Sequence, residues 1–399
     1  MIMKILNQLS HIILQIIFLL LMGSCSFSNN PTDYFGESIP DSIPMIFAPG
    51  KISLEGRLEQ GISFTPDNRE LAFGILSKEN LNGVIYYAKK INENWTEPKV
   101  FEPLRGRNAY LLYFSPNGNS LLYAESKAGL DNMSTDIWMM EKLNGEWINP
   151  RKLNSPINSQ SREANASMNL DGTIYFSSNR NCRDLANCHT ADLFYSDLNN
   201  NKYKEVKNID EFRSANDEES VFISPNDDFI IFCKYTGDQT GVDLYISYQN
   251  GKKQWIEPQL IESKVNSKYW ERRPFVTIDN KFLFFTRLEI AGNRIVESDI
   301  YWVNTSNLFK PFVYNPIADS IITVGEKYSI HINNDYFKDI DEEDLIIKGA
   351  SNMKSWLNYD TAERKLHGIP KIKGNYEFII TATDRNLNSA VDTIKIIVR

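Results

Sequence analysis

Leu112-Tyr113-Phe114-Ser115-Pro116-Asn117-Gly118, running into Leu121-Leu122-Tyr123, is the stretch on which the fold turns. An apolar run meets a tight Pro-Asn-Gly turn and then a second run dense in leucine and tyrosine, which is hairpin chemistry rather than helical spacing. Four further segments repeat it. They are Ile62-Ser63-Phe64-Thr65-Pro66-Asp67 into Leu71-Ala72-Phe73, and Ala166-Ser167-Met168-Asn169-Leu170-Asp171-Gly172 into Ile174-Tyr175-Phe176-Ser177. The others are Val221-Phe222-Ile223-Ser224-Pro225-Asn226-Asp227 into Phe229-Ile230-Ile231-Phe232, and Phe275-Val276-Thr277-Ile278-Asp279-Asn280 into Phe282-Leu283-Phe284-Phe285. The turn positions 66, 116, 170, 225 and 278 lie about 50 to 55 residues apart, the length of one four-stranded propeller blade with its loops.

A third strand follows each hairpin: Gly83-Val84-Ile85-Tyr86, Asp136-Ile137-Trp138, Asp192-Leu193-Phe194-Tyr195, Asp243-Leu244-Tyr245-Ile246 and Asp299-Ile300-Tyr301-Trp302. A fourth is marked in most units by Trp95 with Pro98, Trp147 with Pro150, and Trp255 with Pro258. Aromatic and β-branched residues suit half-buried twisted strands, and the prolines stand where pairing stops. The Ser-Pro-Asn-Gly hairpins, Asp-Ile-Trp and Asp-Leu-Tyr strands and Trp-x-x-Pro exits resemble the WD40-like repeats of TolB-type six-bladed propellers. The resemblance covers roughly residues 43 to 308; Met168-Asn169-Leu170 and Thr277-Ile278 depart from it by lacking Ser-Pro. A propeller must close to hide its edge strands. We therefore expect six blades, with Met45-Ile46-Phe47-Ala48-Pro49-Gly50-Lys51-Ile52-Ser53-Leu54 and the strands after Tyr301-Trp302-Val303 together building the sixth.

After Leu308 the aromatic period stops, and Pro311 and Pro316 flank a junction. Short alternating runs such as Tyr328-Ser329-Ile330-His331-Ile332 and Tyr376-Glu377-Phe378-Ile379-Ile380-Thr381-Ala382 predict a β-sandwich. The order Asn315-Pro316, Gly325-Glu326, Trp356-Leu357-Asn358-Tyr359-Asp360, Leu366-His367-Gly368-Ile369-Pro370 and Thr381-Ala382-Thr383-Asp384 resembles the cadherin-like or dystroglycan-type immunoglobulin family. That resemblance implies Trp356 and Leu357 in the core, a turn at Gly368 and Pro370, and an adhesion or spacing module. The whole is then all-β: a six-bladed β-propeller over 43–310 followed by an immunoglobulin-like β-sandwich over 311–399.

At the other end, Lys4 precedes an apolar run from Ile12 to Met22, too short for a spanning helix, and then Met22-Gly23-Ser24-Cys25. Residues 1–25 read as a signal peptide whose last four residues resemble a bacterial lipobox, with Cys25 acylated. Residues 26–42 are a polar, proline-bearing tether. Ser26, not aspartate, follows the cysteine, which implies anchoring in the outer membrane, and the lack of an acidic cluster behind it favours the periplasmic face over the cell surface. The membrane is thus an expected partner through the lipid. Among 399 residues 24% are charged, with a net charge of -8 and no basic patch, which excludes nucleic acid as partner.

Aligned at the turns, Glu59, Glu163, Glu218 and Glu271 each stand seven residues before the turn, with Ala109 the exception. They either ring one mouth of the channel, holding a ligand or a cation, or accept backbone N–H groups and lock the blades, the simpler role. Arg57, Arg107, Arg162, Arg272 and Arg273 lie near the same strand starts, and several arginines at one mouth are a site for a carboxylate or sulfate. Their unequal offsets predict pairing with the glutamates instead. Asp136, Asp192, Asp243 and Asp299 read as strand-start caps. Asp339, Asp341, Asp344 and Asp384 match acidic positions that bind Ca²⁺ in cadherin-like modules, with a solvated acidic loop as the alternative; Ca²⁺ is the one cofactor in view. Cys182 and Cys188 share a polar loop and are expected to form a disulfide in an oxidising compartment, the alternative being zinc held by both with His189, for which only Asp184 is near as a fourth ligand, while Cys233 in an apolar strand is expected to be a buried thiol.

No Gly-x-Ser-x-Gly elbow, Walker loop, paired zinc histidines or dinucleotide fingerprint occurs, and the chain has 4 histidines. The expected function is a non-catalytic, lipid-anchored envelope protein that uses a propeller face to bind an envelope protein or a glycan. A carbohydrate-binding or sialidase-like glycoside-processing lipoprotein is the alternative, and a surface adhesion protein a third.

Overall fold

The computed structural model describes residues 34–126, 135–182, 190–236, 241–262, 264–292, 294–341, 344–351 and 356–399. The expected signal peptide, its Cys25, the tether up to residue 33, and Cys188 lie outside the described residues. The chain divides into a unit ending at Ser38 and a large unit from Ile39 to Arg399. Of the first, the described part is a turn in which Glu37 N–H donates to the Tyr34 carbonyl over 3.0 Å.

The large unit is built of strands. Its first part holds five sets of antiparallel strands, the first and fifth joined in one nine-stranded sheet and the other three each a four-stranded sheet. The first comprises Leu58–Phe64, Glu70–Leu76, Gly83–Ile91 and Lys99–Val100, and the second Ala109–Phe114, Ser120–Ser126, Thr135–Leu143 and Glu146–Lys152. The third comprises Glu163–Met168, Ile174–Ser178, Asp192–Ser196 and Lys207–Asn208, and the fourth Glu218–Ile223, Phe229–Tyr235, Val242–Tyr248 and Gln259–Leu260. The fifth takes Trp270–Val276, Phe282–Ala291 and Arg294–Asn304 from one end of this region and Met45–Ile46 from the other, in the register Met45↔Trp302 and Ile46↔Tyr301. A parallel bridge, Leu58↔Ser298, joins the fifth sheet to the first.

The repeated hairpin has a local cause. The residue two before each turn's Asx position accepts an N–H from five or four residues on: Thr65 from Glu70 at 3.0 Å, Ser115 from Ser120 at 2.9 Å and Ser224 from Phe229 at 3.0 Å. In the two divergent units Asn169 Oδ1 takes the Thr173 N–H at 2.8 Å and Thr277 the Phe282 N–H at 3.1 Å. The side-chain acceptor is what the turn needs, and the two units that lack Ser-Pro keep one.

A second repeated device ties each sheet to the next. The start of each third strand is clamped by a polar side chain leading into the following sheet: Gly83 N–H by Asn108 (2.6 Å), Ile137 by Asn158 (2.8 Å), Leu244 by Asn266 (2.8 Å), and Ala191 by Asp217. In the fifth sheet Ser53 does this for Ile300 at 3.3 Å. The N-terminal segment is held further by Phe47, fully buried, with ring centroids 5.0 Å from Phe284 and 5.2 Å from Trp302.

Among the described residues the Met45–Leu54 segment contributes one short strand, Met45–Ile46, which pairs with Tyr301 and Trp302 at the edge of the fifth sheet.

The C-terminal part packs the sheet of Ser320–Ile322, Ser389–Val398, Gly374–Thr383 and Ile346–Ser351 against Tyr328–His331, Lys365–Gly368 and Leu357–Asp360. Tyr328, Leu357, Leu366, Phe378, Ile380, Ile394 and Ile396 form its core, with Trp356 packed against it. Gly368 lies so close to Trp356 that a Cβ would fall 2.0 Å from the Trp356 carbonyl oxygen. This sandwich is fastened to the fourth sheet. Tyr248 stacks on Phe312 with centroids 4.5 Å apart, its hydroxyl accepts the Lys310 N–H at 3.2 Å, and Gly251 N–H donates to the Tyr314 carbonyl at 2.9 Å.

Candidate functional site

Every first strand of the five sheets carries a bulge at one equivalent place, where the register slips by one residue. The slip puts Gly61, Leu111, Asn165, Ser220 and Arg273 in the left-handed region, with φ of 63°, 55°, 53°, 55° and 55° respectively. Four of the five are not glycine. A left-handed conformation at branched or long side chains costs free energy and is kept where it serves a purpose. Here it turns all five residues towards one cavity, which they line together with Tyr113 and Phe275. Sheets far apart in sequence thus meet at their first strands.

One side of this meeting point is a cluster of arginines. Glu219, with a side chain 10% exposed, accepts Arg162 Nη1 at 2.6 Å and also Arg272 Nη2. Arg162 comes from the lead-in to the third sheet, Glu219 from the fourth and Arg272 from the fifth. These residues line a cavity of about 380 Å³ with Asp217, Cys233, Tyr235, Val242 and Trp270. Arg273 stands beside it. Its Nε and Nη1, and the Nε of Arg272, are buried N–H groups without a hydrogen-bond partner. Burial, then the like charges of Arg273 and Arg162, lower Arg272 to about 9. Burial, together with the like charge of Arg162, lowers Arg273 to about 10. Both are still cations at neutral pH, held at a cost that an anion would relieve. Burial pushes the Cys233 thiol up to about 12, so it stays protonated and inert as a nucleophile.

The four glutamates do not gather at a mouth. Each is fully buried inside its own sheet. Glu163 accepts Ser159 N–H at 2.9 Å and the Ser159, Ser178 and Arg180 side chains at 2.6, 2.8 and 3.2 Å. Glu271 accepts Ser267 N–H at 3.1 Å, its hydroxyl at 2.6 Å and Arg287 Nε at 2.7 Å. Glu59 takes Leu54 N–H and Arg57, and Glu218 takes the Ser214 hydroxyl with Lys234 at 3.7 Å. The second sheet, where Ala109 breaks the pattern, moves the carboxylate across the hairpin: Glu125, opposite Ala109, pairs with Arg107 at 2.7 Å. Burial raises Glu59 to about 7 and Glu218 to about 6.

The arginines therefore divide in two. Arg57 and Arg107 pair within their sheets, each also over an aromatic ring: Arg57 over Tyr86 at 5.7 Å and Arg107 over Trp138 at 4.4 Å. Arg162 and Arg272 converge on Glu219 despite unequal offsets from the turns, because Arg162 precedes its strand, while the bulge turns the adjacent Arg273 into the cavity that the five left-handed residues share. The sequence signal was present in the same alignment, one and two places past the glutamates: Gln60, Tyr110, Ala164, Glu219 and Arg272, then the five bulge residues. Strict alternation assigns those positions to opposite faces, so the pattern alone does not bring them together.

Among the strand-start aspartates, Asp136 pairs with Lys152 at 2.6 Å and Asp192 accepts Asn181 at 2.6 Å. In the sandwich Asp339 and Asp341 face each other; burial first and then Asp341 raise Asp339 to about 7. Asp384 is buried and accepts both the N–H and the side-chain amide of Asn388 at 2.8 Å, while Asp344 is exposed. No group of three or more acidic, histidine or cysteine residues is spaced for a metal ion among the described residues. Cys182 is disulfide-bonded, and its expected partner Cys188 lies outside the described residues.

The family described as "Putative Ig domain" matches residues 310–399. The C-terminal part is an immunoglobulin-like domain. No curated protein matches the chain. Among solved structures it is similar to the catalytic domain of the Coprinopsis cinerea GH62 alpha-L-arabinofuranosidase, at 9% identity over 67% of this chain and 99% of that one, with a TM-score of 0.43. It is similar also to the Xanthomonas campestris gluconolactonase XC5397, at 8% identity over 67% and 96%, TM-score 0.39. Against Kuenenia stuttgartiensis hydrazine synthase the identity is 12% over 58% of this chain, the TM-score is 0.34, and the chain spans 64% of that protein's length.

Proposed function

We propose that this is an exported, lipid-anchored envelope protein whose propeller binds an anionic ligand without transforming it. We infer a ring of five blades rather than six, closed by Met45–Ile46 and the Leu58↔Ser298 bridge, with TolB-like repeat chemistry in its hairpins. The outer membrane and its periplasmic face remain the expected location.

One observation carries the binding reading. The guanidiniums of Arg162 and Arg272, brought in by the third and fifth sheets, converge on a single Glu219 of the fourth, and buried N–H groups of Arg272 and the adjacent Arg273 are left unmatched. Buried donors without acceptors are costly, and a planar oxyanion supplies what they lack. A glycoside-processing reading has Asp217 and Glu219, the two carboxylates of the same cavity, in its favour. Such chemistry needs a carboxyl free to give a proton to the leaving oxygen. Glu219 is instead engaged by two arginines and Asp217 by the Ala191 N–H. Binding is thus the better-supported function.

The test is calorimetric titration of the mature protein with sulfate, acetate and glucuronate. Arg272→Ala and Arg162→Ala are each expected to weaken the best of these at least tenfold while leaving the fold intact by circular dichroism. Equal affinity in wild type and both variants would remove the reading.

A further inference from the structure

We propose that the anion is a carboxylate no larger than acetate, received by Arg273 in the cavity that the five left-handed residues share. This rests on the anion-binding reading above and narrows it to one guanidinium and one size.

Charge decides which cavity takes the anion. Arg162 and Arg272 are paired with Glu219, and Asp217 lines the same cavity, so the charges there balance. Arg273 lines the other cavity, where it is the one charged residue. Its Nε and Nη1 are buried without an acceptor. Besides burial, the groups that act on its charge are Cys233, Arg162 and Tyr110, and no carboxylate is among them. A buried cation in that state is costly, and a single negative charge relieves it. Arg162, bonded to Glu219 and close enough to act on Arg273, couples the two cavities. Loss of Arg162 or Arg272 leaves Glu219 less neutralised, which disfavours an anion at Arg273.

The strand geometry aims this guanidinium. Arg273 holds a φ of 55°, a conformation that costs free energy in a residue with a long side chain. Its stem runs against Gly61, where an ideal Cβ would stand 3.4 Å from Arg273 Cδ. Asn165 and Ser220, the bulge residues of the third and fourth sheets, line the same cavity and are joined, the Ser220 hydroxyl donating to Asn165 Oδ1 at 3.4 Å. The polar lining thus comes from three successive sheets.

The rest of the lining decides what the anion carries. Ile62, Leu111 and Leu112 are apolar, and Tyr113 and Phe275 meet with ring centroids 6.3 Å apart. Phe222 packs on both, at 6.2 Å from Tyr113 and 5.8 Å from Phe275. The Tyr113 hydroxyl is already given to the Met168 carbonyl at 3.1 Å, so this part of the lining asks for C–H groups. The cavity measures about 40 Å³. One water needs roughly 10–15 Å³ by the same measure, so a few heavy atoms fit. A sugar or benzene ring does not, since small-molecule sites usually run to roughly 300–1,000 Å³. Acetate places its charge on Arg273 and its methyl on the leucines.

The test is calorimetric titration of the mature full-length protein with acetate, nitrate, benzoate and glucuronate, in wild type, Arg273→Gln and Asn165→Asp. Acetate is expected to bind about tenfold more tightly than benzoate and glucuronate, which exceed the cavity. It is expected to exceed nitrate about threefold, since nitrate has the charge and the plane but no methyl. Arg273→Gln removes the cation and should weaken acetate about tenfold or more. Asn165→Asp keeps the cation and sets the protein's own carboxylate in the cavity, with a loss of the same size. Asparagine and aspartate share a tolerance of the left-handed region, so this second variant serves should Arg273→Gln misfold. Benzoate, glucuronate or nitrate binding as tightly as acetate, or both variants binding acetate like wild type, would overturn the proposal while leaving the anion-binding reading standing. Failure of every anion to bind would remove both.

Discussion

At the scale of single residues, the arginine cluster is held open by Glu219. Replacing it by glutamine removes the charge that neutralises Arg162 and Arg272 but keeps its shape. Glu219→Gln is therefore expected to lower stability by about 3–5 kcal/mol, the cost of leaving a buried charge unpaired. It is also expected to tighten anion binding, because the ligand no longer competes with a resident carboxylate. Denaturant unfolding with and without sulfate reads both; unchanged stability together with weakened binding would contradict this account. Glu59 gives a prediction in pH. Its folded value, about 7, stands above the ordinary 4.5, so the folded state binds more protons than the unfolded one between these values. Stability should fall as pH rises from about 4.5 to about 7 and level off above. Glu218, raised to about 6, acts in the same sense. Glu59→Gln cannot ionise and should shallow that slope in a melting-temperature series; a slope identical to wild type argues against the assignment. The glutamates were legible in the sequence as a register of equivalent positions, since four of the five repeats place one at the same distance from the turn. Their burial was the simpler of the two roles considered. Arg273 was not legible, because a bulge leaves no mark in the pattern of polar and apolar residues.

Among elements, the clamps between neighbouring sheets are the strongest candidates for what holds the first strands in register. Asn266 donates to the carbonyls of Leu244 at 3.0 Å and Ile261 at 2.7 Å while accepting the Leu244 N–H. Asn266→Ala strands buried backbone groups and should cost about 1–3 kcal/mol in denaturant unfolding. A cost below about 0.5 kcal/mol would mean that water replaces the amide. Phe47→Ala should cost about 3–5 kcal/mol, since the ring fills a niche between Phe284 and Trp302. Hairpins and third strands were readable because turn chemistry and aromatic patterning are local. The extent of the N-terminal strand was less so: the run from Met45 to Leu54 is apolar along its length, and tertiary pairing draws only Met45–Ile46 into a strand.

At the scale of the molecule, the sandwich is docked on the fourth sheet through Tyr248, Phe312 and the Gly251 N–H. Phe312→Ala is expected to split one calorimetric unfolding transition into two, the sandwich melting first; a single transition at the wild-type temperature would show that the stack does not couple them. The immunoglobulin-like domain was visible in its short alternating strands, and the junction was marked by Pro311 and Pro316, but no sequence pattern announces which sheet receives it. The pairing of the N-terminal segment with the fifth sheet also bears on how the molecule is made. Ser53 and Ile300, bonded through the Ser53 hydroxyl, are 247 residues apart in the chain. A polypeptide threaded out from its N-terminus delivers Phe47 early, long before the rings that will enclose it exist. Until the last hairpin emerges, the segment waits in solvent and the growing assembly carries an unprotected margin. Biogenesis is therefore governed by its final step, and the interval before it is when proteases and chaperones compete for the chain.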